Sequence, residues 1–135
     1  MKFRLPTAAL FLSTLVIGSA SATDIRWSSA DTFEHTATIA PGKAAELCGQ
    51  IEPRLPVDWR YSATGPVTFN IHRHSGSEIV YASRSYLTRE QSGKFSPTFS
   101  FEWCWMWVNE TAENVTLSAD LKRGRKSSAA WRSAR

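Results

Sequence analysis

Cysteine is scarce in this sequence. Its 135 residues hold two, Cys48 and Cys104, with no Cys-x-x-Cys pair and no histidine beside either. A thiol-type metal or redox motif is therefore not supported. Long apolar runs are scarce too. Past the first segment none approaches about 18 residues, so no membrane span is expected there. Long helical periods are absent, which excludes a coiled coil. There is no Gly-x-Ser-x-Gly, no His-Glu-x-x-His and no phosphate-binding glycine loop. Acid pairs for glycoside hydrolysis find no buried-looking candidate, because Asp58, Glu78 and Glu102 all fit solvent-facing positions. The expectation is not an enzyme.

The amino-terminal segment reads as a secretory signal. Lys2 and Arg4 form a basic start, Leu5 to Gly18 is apolar, and Ala20-Ser21-Ala22 is a small-x-small cleavage site. Residues 1–22 are taken as that signal, which predicts a periplasmic or secreted protein. No cysteine follows the cleavage site closely, so a lipoprotein is not expected. Export to an oxidising compartment and an even cysteine count predict a Cys48–Cys104 disulfide. It would close a loop of about 57 residues, worth about 4 kcal/mol in the chain-entropy model.

The formal charge of +4 is unevenly spread. Residues 23–121 carry all 12 acidic residues and only eight basic ones, so the body is net negative. The excess of positive charge lies in Lys122, Arg123, Arg125, Lys126, Arg132 and Arg135. A nucleic-acid binder would carry its basic charge on the folded body, so nucleic acid is not an expected partner. Residues 122–135 show no apolar period and read as a basic, disordered tail. That tail is suited to weak contact with an anionic surface.

Between these ends, short alternating runs are broken by turn residues, the pattern of an all-β domain. The expected strands are Phe33–Ile39, Lys43–Ile51, Val57–Ala63, Val67–His72, Glu78–Ser83, one within Phe95–Asn109, and Val115–Leu121. Turns are expected at Pro41-Gly42, Thr64-Gly65-Pro66, Ser75-Gly76-Ser77 and Asn109–Asn114, with a polar loop over Ser85–Lys94. About seven to eight such strands predict an antiparallel β-sandwich over residues 23–121. The run Phe99, Phe101, Trp103, Trp105 and Trp107 puts aromatics on one face of a strand, with Cys104, Met106 and Val108 on the other. Both faces are apolar, so a central, covered strand is expected. An aromatic platform for a sugar, lipid or peptide is the functional alternative. Asn109-Glu-Thr and Asn114-Val-Thr match the N-glycosylation pattern and are read as chance matches in an exported bacterial-type chain.

Several pieces together carry a family resemblance. They are Glu46-Leu47-Cys48, Val57 to Ala63, Gly65 to Ile71, Ile79-Val80-Tyr81, and Trp103-Cys104-Trp105-Met106-Trp107-Val108-Asn109. Their order over Phe33–Leu121 resembles the GOLD domain, the lumenal β-sandwich of early secretory cargo adaptors. The Phe69-Asn70-Ile71-His72-x-His74 and Cys104-Trp105-Met106-Trp107 pieces are similar to small exported bacterial proteins of that type. The resemblance implies an early-strand cysteine paired with one in an aromatic-Cys-aromatic segment. Those adaptors continue into a coiled coil and a membrane anchor. This sequence has a basic tail there, so cargo selection is not expected.

His72 and His74 are the sharpest chemical feature. Two residues apart on a strand, they face the same side. They could share a zinc or copper ion if Glu78 or His35 supplied a third ligand, with Asn70 orienting a ring. A blue-copper site is not supported, because Cys104 and Met106 lack a neighbouring histidine. The leading expectation is a non-catalytic binding module of the cell envelope without a cofactor, engaging an unknown protein or envelope ligand. Arg60, Asn70, His72, His74 and Glu78 are its candidate contact residues. A metal-binding protein using His72, His74 and Glu78 is the alternative.

Overall fold

The computed structural model describes residues 21–125. Seven strands account for most of them, and no helix occurs among the described residues. They are β1 (Ser21–Asp24), β2 (Thr32–Ile39), β3 (Ala44–Ile51), β4 (Val57–Ser75), β5 (Glu78–Phe95), β6 (Phe101–Val108) and β7 (Val115–Arg123). The all-β, disulfide-stapled class expected from the sequence is what forms.

One sheet runs through all seven strands, in the order β1-β3-β6-β4-β7-β2, with β5 paired to β4. It doubles over on itself because β4 changes neighbours partway along. Val57–Ala63 pairs with β7, whereas Thr68–His72 pairs with β6. The change falls at Thr64-Gly65-Pro66, where the β4–β5 register also shifts. A Cβ on Gly65 would come 2.9 Å from Val115 Cγ2, so the bend needs glycine for close approach. Thr64 Oγ1 accepts from the Thr116 N–H at 2.9 Å and ties the bend to β7. Strands that bend from one layer into the next make the corners of such folds.

The core lies between the two halves. Trp59 and Tyr61 from the first half of β4 meet Phe69 from the second, at ring-centre distances of 4.9 and 5.0 Å. Trp107 packs on Phe69 and Tyr61, and Trp105 on Phe95. Leu117 and Leu121 of β7 and Leu47 and Ile51 of β3 complete the packing. Trp103, Trp105 and Trp107 are all buried, so the aromatic run is core rather than platform. Its strand, β6, is central between β3 and β4. Phe99 is exposed, but the Arg73 guanidinium lies 5.1 Å from its ring centre.

Cys48 and Cys104 are bonded and sit directly opposite each other on β3 and β6. This bond fixes which residues of β3 share a face with which residues of β6.

Several expected boundaries are corrected. The turn at Thr64-Gly65-Pro66 is a bend inside one 19-residue strand. The polar loop at Ser85–Lys94 is the second half of β5. It reads as loop because β5 is an edge strand whose side chains mostly face water, so no apolar alternation marks it. Leu87, at φ 52°, adds a local irregularity. Phe95 ends β5 rather than starting the aromatic strand. Lys122 and Arg123, assigned to the tail, belong to β7. Arg123 Nη2 lies 2.8 Å from Asp31 Oδ1, and the Arg123 N–H donates to the Asp31 carbonyl. The hydrogen bond from that guanidinium holds the Asp31 carboxyl below its usual range against desolvation, which raises it, with lesser help from the Arg123 and Arg125 charges. β1 pairs parallel with β3 from Ser21 onward and straddles the expected cleavage point after Ala22. Residues 1–20 of the expected signal and 126–135 of the expected tail lie outside the described residues.

Candidate functional site

The outer face of the half-sheet β3-β6-β4-β5 gathers most of the chemistry. Even-numbered positions point outward there. Cross-strand register places Glu46, Met106, Asn70 and Arg84 in one row, and Cys48, Cys104, His72 and Tyr81 in the next. A β-bulge shapes this second row. The register steps from Ile71↔Ser83 to His72↔Tyr81, so Ala82 is the extra residue on β5.

His72 is the centre of the cluster and only 2% exposed. Its Nδ1 donates to Asn70 Oδ1 at 2.7 Å. Its Nε2 lies 3.1 Å from Glu46 Oε1, which reaches across β6 from β3. The His74 ring stands edge-on to it, 5.1 Å away between centres. Tyr81 lies 6.0 Å away on the other side, with the Arg84 guanidinium 3.4 Å from the Tyr81 ring centre. A buried imidazole held at both nitrogens is a rigid feature. Among the described residues, no serine, threonine or free cysteine is hydrogen-bonded to His72, and both sulfurs beside it are in the disulfide.

Asn70, His72 and His74 are therefore together, as the strand spacing suggested. Three other candidates are elsewhere. Arg60 lies on the first half of β4, exposed, with its Nε 2.8 Å from Asp120 Oδ2. Glu78 is exposed at the hairpin tip opposite Ser75. His35 is on β2, stacked against Phe33. Arg60 and His35 are separated from the cluster because β4 carries its two halves into different layers, and Glu78 because it sits at the hairpin tip beyond His74. Sequence reasoning missed Glu46. The signal was present: Glu46 is two residues from Cys48, so it shares the face that the disulfide brings against β6.

Beside the cluster runs the open edge of β5. Of the five large hydrophobic side chains exposed among the described residues, Ile79, Tyr81, Tyr86 and Leu87 lie on β5. Tyr86 and Leu87 are 69% and 61% exposed. A groove of about 230 Å³ separates Tyr81, Arg84 and Tyr86 from Thr68 and Asn70. Larger grooves of about 550 and 490 Å³ lie toward the other half-sheet, around Arg60, Ser92 and Asp120. Tyr61 lines the first of these. Burial pushes its phenol up, against a hydrogen bond with Thr88 that lowers it.

No family model matches the sequence, and no curated protein matches it. Solved structures do. The periplasmic inhibitor of g-type lysozyme from Salmonella Typhimurium, PliG, aligns with a TM-score of 0.54 at 10% identity. The alignment covers 78% of this chain and 99% of that one. PliG of Aeromonas hydrophila gives 0.54 at 8% identity, over 78% and 98% of the two chains. The Yersinia pseudotuberculosis-derived mitogen gives 0.50 at 16% identity, over 76% and 92%. At these identities the likeness is one of fold.

Proposed function

We propose that this chain is an exported, non-catalytic module that binds a protein partner along the edge of β5. One observation carries this reading: four of the five large hydrophobic side chains exposed among the described residues sit on that one edge strand, which is paired on one side only, to β4. Tyrosines and leucines on an open edge supply contact area, while free backbone N–H and C=O groups supply directional hydrogen bonds. The rigid His72–Asn70–Glu46 network behind the strand keeps this face in one shape. Periplasmic or secreted location rests on the signal-like amino terminus and the paired cysteines. It also agrees with neighbours of the same fold that are described as periplasmic. The GOLD resemblance is read as a likeness of strand order and cysteine pairing, without a cargo role. Lys122 and Arg123 are held in β7, so contact with an anionic surface is a minor role for the remaining basic residues.

Two neighbours of this fold are inhibitors of g-type lysozyme, which makes that enzyme the first partner to test. The oxidised protein is titrated into g-type lysozyme acting on a bacterial cell-wall suspension, with binding followed by calorimetry. The expected result is one-to-one inhibition that a Tyr86→Ala/Leu87→Ala variant weakens by about tenfold or more, the usual effect of losing central interface anchors. Absence of binding removes g-type lysozyme as the partner. Binding unchanged in the double variant removes β5 as the docking edge.

A further inference from the structure

We propose that Glu46, His72 and His74 form a binding site for one divalent transition-metal ion of the zinc and copper class. This goes beyond the docking role and does not depend on it. One ligand atom from each of the three residues lies within 4.8 Å of the other two. His72 Nε2 and Glu46 Oε1 are already 3.1 Å apart. Two donors each about 2.0 Å from a tetrahedral zinc ion would lie about 3.3 Å apart, so this pair has the spacing of two ligands. His74 is exposed and free to swing onto the ion.

The hydrogen bonding around His72 favours the same conclusion. Asn70 Oδ1 lies 2.7 Å from Nδ1 and holds the ring so that Nε2 faces Glu46. Metal-bound histidines are oriented in this way by a second-shell acceptor on the other nitrogen. His72 Nε2 and Glu46 Oε1 face each other at 3.1 Å, with the ring buried, the carboxylate partly buried and His74 exposed beside them. Two imidazoles and one carboxylate suit zinc and copper, whereas magnesium and calcium prefer all-oxygen sets. Glu46 also lies within ligand range of Cys48 and Cys104, but disulfide sulfurs offer no thiolate, so the histidine set is the one that can act in the oxidised protein. An ion here would clip β3 to β4 across β6, with its fourth position open.

The test uses the untagged, full-length, oxidised protein, stripped with chelator and titrated separately with Zn²⁺, Cu²⁺ and Mg²⁺. One Zn²⁺ or Cu²⁺ ion per chain at sub-micromolar Kd, and no Mg²⁺ uptake, is expected. His74→Ala changes an exposed residue and leaves folding intact. It should weaken Zn²⁺ binding by about tenfold or more, and Glu46→Gln should do the same. His35→Ala should leave binding unchanged. Cu²⁺ electron paramagnetic resonance should show two imidazole nitrogens in the parent and one in His74→Ala. Parent affinity in His74→Ala or Glu46→Gln, loss of binding in His35→Ala, or no sub-micromolar uptake of either metal would overturn the site.

Discussion

Asn109 offers the sharpest stability test, because a single side chain holds three strand ends. It is fully buried. Its Nδ2 donates to the Ile39 carbonyl at 2.9 Å and to the Glu113 carbonyl at 2.7 Å. Its Oδ1 accepts from the Thr111 N–H at 2.9 Å and from the Thr111 hydroxyl at 2.7 Å. The end of β2, the end of β6 and the turn into β7 thus converge on one amide, which is used at every site. In Asn109→Ala, Thr111 and Glu113 lie near enough to solvent to bond water, so their bonds cost about 1 kcal/mol or less each. Ile39 is 2% exposed, and its carbonyl would lose its side-chain partner where water does not reach, at about 1–3 kcal/mol. The sum is about 3–4 kcal/mol. For a domain of this size that lowers Tm by about 15–20 °C. Asn109→Asp should do no better, since it turns an acceptor toward both carbonyls that now receive a proton. Urea unfolding of the oxidised proteins, with an unchanged slope, measures the loss. A loss below about 1 kcal/mol would refute the convergence argument. The same burial rules out Asn109 as a glycan acceptor in the folded chain.

Three more outcomes are expected. Replacing Cys48 and Cys104 with alanine should cost about 4 kcal/mol, because the bridge spans 56 residues of chain; a loss under about 1 kcal/mol in urea unfolding would show that the unfolded chain is already restricted. Asp31→Asn should be less stable than the parent at neutral pH. Arg123 lowers the Asp31 carboxyl in the folded state, so its contribution is present above the ordinary carboxylate range and is lost as pH falls through the lowered value. The two stability curves should converge toward acid, and a constant gap from neutral pH to pH 2 would contradict this; asparagine is chosen because it tolerates the φ of 60° at this position. Gly93→Ala should destabilise by about 1–3 kcal/mol, since the new Cβ would fall 2.7 Å from Trp59 Cζ2, and Trp59 is pinned against Phe69; unchanged unfolding would mean the indole can shift freely.

Where the sequence was legible, one face of a strand was buried and the other wet. β2, β3 and β7 alternate for that reason, and their expected limits fall within a few residues of the observed ones. β4 was misread at Thr64-Gly65-Pro66 because the residues that make a turn also make a bend. Gly65 permits close approach to Val115, and Thr64 caps a β7 amide, so the strand continues into the second layer. β5 was misread because an edge strand exposed to water carries no alternation to see. The candidate site failed in a related way. Glu78 was chosen as a neighbour of His72 and His74 because it is close in sequence, yet the hairpin carries it to the tip. Glu46 is far in sequence, yet one disulfide places it on their face. The bond between Cys48 and Cys104 sets β3 against β6 residue by residue, and β6 pairs with β4. From that point every even-numbered residue of β3 shares a surface with Asn70 and His72. A predicted cross-strand disulfide is therefore a register prediction as well as a stability one: it places Glu46 on the Cys104 face of β6, and the β6–β4 pairing then brings that face to His72.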